Sequence, residues 1–211
     1  MKKGMMDQTE DSRVIRRAKE YVNGLLIPLE RHYYHQYSHA LEVMERSLYL
    51  GKREGLTDAE LEMLALAALF HDTGFIIQYD NNEPIGAKIA QNYLKSMLYD
   101  REKIEIIESI ILATDPKYKQ PKNIYEEIIK DADLDNLGRN DFWNKTKDLS
   151  REIQAIKNIK TMDPEWQHGI IDFLADHKYY TKTQQDERDS QKKENLSRLE
   201  DMLTELEKDS I

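Results

Sequence analysis

The chain contains no cysteine, which removes disulfides, thiolate metal sites and cysteine nucleophiles at once. Any metal must then be held by histidine and carboxylate. Glycine and proline are also scarce, eight and five in 211 residues, too few for a sandwich or barrel that needs a turn signal every few residues. Leu, Ile, Glu, Lys and Ala are abundant instead, and these are helix formers. Long apolar runs are missing as well: the longest, Met63 to Phe70, has eight residues, against about 20 for a bilayer span. The first residues carry two lysines and then acidic and polar side chains where a signal peptide would have its apolar core. These absences predict an all-α, cytoplasmic protein with no membrane partner.

With 39% hydrophobic and 34% charged residues, the length suits one substantial domain plus an extension. The expected division is a helical domain over 1–180 and a charged C-terminal helical extension over 181–211. A net charge of -9, from 31 basic and 40 acidic residues, repels a phosphate backbone and makes nucleic acid an unfavourable partner. A small phosphorylated substrate is still compatible, because a bound cation inverts the local field.

Apolar spacing of three and four predicts helices over Ser12 to Leu26, with Val14, Ala18, Tyr21, Val22 and Leu25 inward, and over Ser38 to Glu54. Thr57 and Glu60 form a capping box that starts a helix ending at Asp72. Further helices are expected over Ile85 to Met97, Arg101 to Leu112, Ile124 to Leu137, Ser150 to Lys160 and Pro164 to His177. The stretch Ala113 to Asn123 reads as a loop. Near the C-terminus Leu196, Leu199, Leu203 and Leu206 form one narrow seam, which fits a terminal helix lying on the domain or a short coil pairing two copies into a homodimer.

Three places could carry chemistry. His35 and His39, four apart in HQYSH, superficially match the zinc-protease pattern, but Gln36 stands where a general-base glutamate is required, so that reading fails. In ALFHDTGF, His71 and Asp72 follow a helix that is apolar on every side, and they are either the polar end of that helix or a ligand pair. In KDADLDNLG, helical spacing sorts three carboxylates. Glu127, Asp131 and Asp135 form an acidic stripe expected to face solvent. Asp133 lies between Ile129 and Leu137, where an unpaired carboxylate is costly and a cation removes the cost. His177 follows Trp166, Ile170, Phe173 and Leu174 at helical spacing and is read as a packed histidine.

Taken together, His39, His71, Asp72 and Asp133 resemble the H…HD…D signature of the HD-domain metal-dependent phosphohydrolases. The likeness is closest in YHQYSHALEV, ALFHDTGF and IIKDADLDNLGR. The resemblance implies a helical bundle in which these four residues chelate one divalent ion, of Mn, Fe, Co, Ni, Zn or Mg, and water activated by the cation cleaves a phosphoester of a nucleotide or another small phosphorylated metabolite. Asp72 or Glu83 would take up the proton, and Lys130, Arg139 and the lysines of 117–122 are the nearest candidates for phosphate. Where many relatives have a His-Glu pair and a further His for a second metal, this chain has Asn82-Glu83 and Thr114-Asp115, which disfavours a dinuclear site. The run TGFII after the HD pair lacks the acidic pair of the stringent-response hydrolases, and the extra histidines of di-iron oxygenases are missing. The alternative is a non-catalytic HD module that binds a nucleotide or metal and signals through its terminal helix.

Overall fold

The computed structural model describes residues 12–118, 120–161 and 164–209, with side chains to 205. Among them are nine α-helices, two short 3-10 turns and no strand. The helices are α1 Arg13–Leu26, α2 Tyr37–Arg53, α3 Asp58–Phe70, α4 Glu83–Ser96, α5 Arg101–Leu112, α6 Ile124–Asp133, α7 Phe142–Lys157, α8 Pro164–Asp176 and α9 Lys182–Asp209. No described helix is long and apolar enough to cross a membrane. The described residues fall into two compact units, one within residues 1–29 and 35–133 and one within residues 30–34 and 134–211. The division thus falls at 133/134, ahead of the change in composition at 180.

The first unit is built around α3. Every residue from Met63 to Phe70 is at most 5% exposed, as expected of a helix apolar on all sides. It packs against α1, α2, α4, α5 and α6. α1 contributes Ile15, Ala18, Val22 and Leu26, a stripe turned by about one residue from the expected one. That rotation leaves Tyr21 outside, where its ring stacks on Tyr93 at 4.5 Å. α5 contributes Ile104, Ile107, Ile110 and Ile111, and each such side chain, fully buried, stabilises the fold by about 1.5–3 kcal/mol. Glu60 holds the start of α3 as the capping pattern requires: its Oε2 accepts from the Thr57 N–H at 2.7 Å. Its Oε1 accepts from the Tyr125 hydroxyl of α6 at 2.5 Å.

The second unit gathers Leu137, Phe142, Leu174, Tyr179 and Leu199 into its own core, with Leu196 and Ile170 packed against it. The leucine seam of α9 is therefore spent inside the unit, and Leu203 is only 8% exposed; the side chain of Leu206 lies outside the described residues. Polar side chains of α9 also turn inward: Asn195 Nδ2 donates to the carbonyls of Leu137 and Arg139 at 2.9 and 3.0 Å. Gln184 and Arg188 donate to Asp135 at 3.0 and 2.7 Å. This is why a segment that reads as a charged extension belongs to a compact body that begins at Leu134. His177 is packed as expected, its ring edge-on to Tyr179 at 4.6 Å.

α6 is shorter than its periodicity suggests. It stops at Asp133, and a 3-10 turn over Asp135–Gly138 follows. α7 starts earlier than expected, at Phe142, and ends at Asn158, whose φ of 53° is the left-handed stop that asparagine tolerates.

Candidate metal centre

α3 delivers His71 and Asp72 by ending where it does. His71 caps the helix, and the chain bends into a 3-10 turn over Thr73–Ile76. Thr73 Oγ1 donates to the Phe70 carbonyl at 2.7 Å. Gly74 makes the bend possible: a Cβ there would lie 1.9 Å from the Asn82 carbonyl oxygen. Gly86 on α4 is similarly confined, since its Cβ would sit 2.9 and 3.0 Å from the carbonyl oxygens of His71 and Phe70. These two glycines let α4 and the loop before it close onto the end of α3. Gly74→Ala should therefore destabilise the protein by several kcal/mol, about the upper range for a point change, and chemical denaturation measures it; a loss under about 0.5 kcal/mol would mean the contact relaxes freely.

Four side chains meet at this point. His39 comes from the first turn of α2 and Asp133 is the last residue of α6. His39 Nε2 lies 3.1 Å from Asp133 Oδ1 and 3.5 Å from Asp72 Oδ2. His71 Nε2 lies 3.1 Å from Asp72 Oδ2 and 3.4 Å from Asp133 Oδ1. Ligand atoms of His39, His71 and Asp72 all fall within 4.8 Å of one another. His71 Nδ1 faces the Ala68 carbonyl at 2.7 Å, so that nitrogen carries the proton and Nε2 presents its lone pair to the carboxylates. His71 Nε2 and Asp72 Oδ2 are buried, and neither makes a hydrogen bond to the described residues. Two lone pairs held together in a dry place require a positive charge between them, a proton or a cation.

The electrostatics say the same. Burial opposes a charge on His71, but the carboxylates of Asp72 and Asp133 outweigh it and hold its pKa well above the ordinary 6.5. Asp72 and Asp133 are pushed up by burial and drawn down more strongly by the imidazoles, ending below the ordinary 3.8. Two imidazole nitrogens and two carboxylate oxygens, with the second nitrogen of His71 fixed by a carbonyl, are a donor set that fits a first-row divalent ion.

The acidic stripe does not face solvent. Asp131 is fully buried and Asp135 is 6% exposed, while the Asp133 side chain is 24% exposed. The stripe fails because α6 is covered by α2, α3 and α5 and ends before Asp135, whose carboxylate is bound by residues of α9.

Beside these four side chains is a cavity of about 400 Å³ lined by Asp72, Asp133, Glu83, Asn82, Asp115 and Lys117 among others. Glu83, at the start of α4, shares it with Asp72 and Asp133. Burial and then the charges of Asp115, Asp72 and Asp133 raise the Glu83 pKa above that of an ordinary glutamate. Lys130 is engaged elsewhere: its Nζ donates to the Ala113 carbonyl at 2.9 Å and lies over the Tyr118 ring. Arg139 belongs to the second unit, where it grips Asp141 with two hydrogen bonds of 2.8 and 2.6 Å. His35, unassigned from sequence, lines the cavity with its ring 4.3 Å from that of Phe75. The available signal was its place four residues before His39, although α2 begins only at Tyr37 and His35 precedes it.

Residues 37–135 match the family model described as HD domain. This part of the chain is an HD domain. The matched segment contains His39, His71, Asp72 and Asp133, and it ends almost where the first unit does. HD domains bind divalent metals and are generally hydrolases, and the His39, His71 and Asp72 cluster can hold such an ion. No curated protein matches the chain. Among solved structures it is similar to the Lin1889 protein of Listeria innocua, at 22% identity over 96% of each chain with a TM-score of 0.62. At that identity the likeness shows a common fold.

Proposed function

We propose that this HD-domain protein is a metal-dependent phosphohydrolase that cleaves a phosphoester of a small phosphorylated metabolite. The observation that carries the reading is the pair of unpartnered buried atoms, His71 Nε2 and Asp72 Oδ2, converging with His39 and Asp133 beside an open cavity. His39, His71, Asp72 and Asp133 would hold the ion, which when bound supplies Lewis acidity and lowers the pKa of water. Glu83 is the group suited to take the proton. Asp72, with its lowered pKa, stays a carboxylate, whereas the buried Glu83 beside Asp115 is tuned upward toward the working range of a general base. Lys117, which lines the cavity and donates from Nζ to Asn81 Oδ1 at 3.2 Å, would be the cation that meets a phosphoryl oxygen.

The test is to load the protein with Mn, Fe, Co, Ni, Zn or Mg, measure bound metal, and screen phosphorylated metabolites for phosphate release. Absence of both metal and phosphate release sinks the reading. In the active preparation, Glu83→Gln should keep its metal and lose about 10²–10⁴ in rate. A base must be deprotonated, so wild-type activity should rise with pH through the raised Glu83 pKa, and this rising limb should vanish in Glu83→Gln. A variant that retains the limb would assign the base elsewhere.

A further inference from the structure

Part of the cavity is not used by this chemistry, and its composition is selective. Among the described residues, five that line it are carboxylates, Asp72, Asp80, Glu83, Asp115 and Asp133, against one lysine and no arginine. Asp72 and Asp133 face the two histidines. Among the described residues, the metal-type cluster is His39, His71 and Asp72 alone, so Asp80, Glu83 and Asp115 do not draw together as a second one. Glu83 and Asp115 are carboxylates spread along a wall.

Asn82 supplies an independent sign of a ligand. It is 6% exposed, lines the same cavity, and its Oδ1 is buried without a hydrogen-bond donor. A buried carbonyl-type oxygen left unpaired is costly, and a donor brought by a ligand removes that cost. The neighbouring wall is aromatic: Phe75 and Tyr79 line the cavity with ring centroids 5.1 Å apart, and ring faces attract cations. Unpaired acceptor, carboxylates and aromatic rings call for the same partner, a positively charged group rich in N–H donors. A polyphosphate calls for the opposite, a cluster of Arg and Lys.

We propose that this wall binds an amine of the substrate, so that the preferred substrate is a small phosphate ester bearing an ammonium group and nucleoside triphosphates are rejected. The phosphate end of this assignment rests on the phosphohydrolase reading above; the amine end rests on the buried Asn82 Oδ1, with Asp115 and the rings of Phe75 and Tyr79 on the same cavity.

The experiment compares 2-aminoethyl phosphate with propyl phosphate, which replaces the ammonium by a methyl group of similar size. Binding to the full chain loaded with Mn²⁺ is read by calorimetry, and phosphate release is followed in the same samples. The amino ester should bind at least about tenfold more tightly, the scale of a charge-assisted hydrogen bond with a cation–π contact. Asp115→Asn and Asn82→Leu should each shrink the ratio, while Asn82→Asp, which keeps an acceptor, should preserve it. Equal affinities, no binding of the amino ester, or tighter binding of a nucleoside triphosphate each overturn the proposal. A binding preference without phosphate release from any ester leaves the amine assignment standing and sinks the hydrolase; release from both esters at equal affinity does the reverse.

Discussion

Asp133→Ala is expected to lose the metal and keep the fold, while Asp131→Ala keeps the metal site's ligands and loses the fold. The two residues are one turn-fraction apart on α6, but their surroundings are opposite. Asp133 Oδ1 is directed between His39 Nε2 and His71 Nε2, and its side chain remains 24% exposed. Removing it deletes one of four converging ligands, a loss that should exceed the roughly 10–100-fold fall in affinity typical of residues behind the ligands. It should also cost the metal-free fold the favourable contact with the two imidazoles, but less than Asp131→Ala does, because its side chain is 24% exposed and water reaches the vacated position. Asp131 is fully buried, and truncating its carboxylate leaves a void and strands the groups it contacts, at about 1–3 kcal/mol for each buried polar group left unsatisfied. Metal analysis after dialysis and urea unfolding of the metal-free proteins separate the two effects. If Asp131→Ala loses metal at full stability and Asp133→Ala retains it, the ligand assignment on α6 is reversed.

The sequence made the first unit legible because its signals are local and agree with one another. The Thr57 and Glu60 pair, the apolar run to Phe70 and the abrupt His71-Asp72 state in one stretch where a buried helix starts, what it packs against and where it ends. Asp133 could be singled out from its apolar flanks, but the burial of Asp131 could not, since a period tells which residues share a face and not how many faces are covered. The second unit was less legible for a different reason. Its helix α9 buries Gln184, Asn195 and Lys192 through hydrogen bonds to distant backbone and to Asp135, and polar residues that turn inward look the same in sequence as polar residues in water. Cavity residues such as His35, Tyr79 and Lys117 come from three separate segments, and only the fold brings them to one wall.

Metal binding should also invert the pH dependence of stability. In the metal-free protein His71 has a pKa raised well above 6.5, chiefly by Asp72 and then Asp133 once the opposing effect of burial is overcome. Its contribution is therefore fully present below about pH 6.5 and is lost as pH rises through the raised folded value. Asp72 and Asp133 have lowered pKa values, so their contribution is present above about pH 4 and is lost only as pH falls through their folded values. The metal-free protein should then be best stabilised by this cluster between about pH 4 and 6.5. A divalent ion occupies the position of the shared proton, and binding must expel that proton wherever His71 is charged. Affinity should consequently weaken by up to about tenfold for each unit that pH falls below the raised His71 value. Melting curves with and without a fixed excess of metal between pH 5 and pH 8 should show a stabilisation that grows with pH, and calorimetry in buffers of different ionisation enthalpy should count about one proton released in the lower part of the range. An equal metal-induced shift at pH 5 and pH 8, with no proton released, would mean that the ion sits somewhere other than between His71 and Asp72.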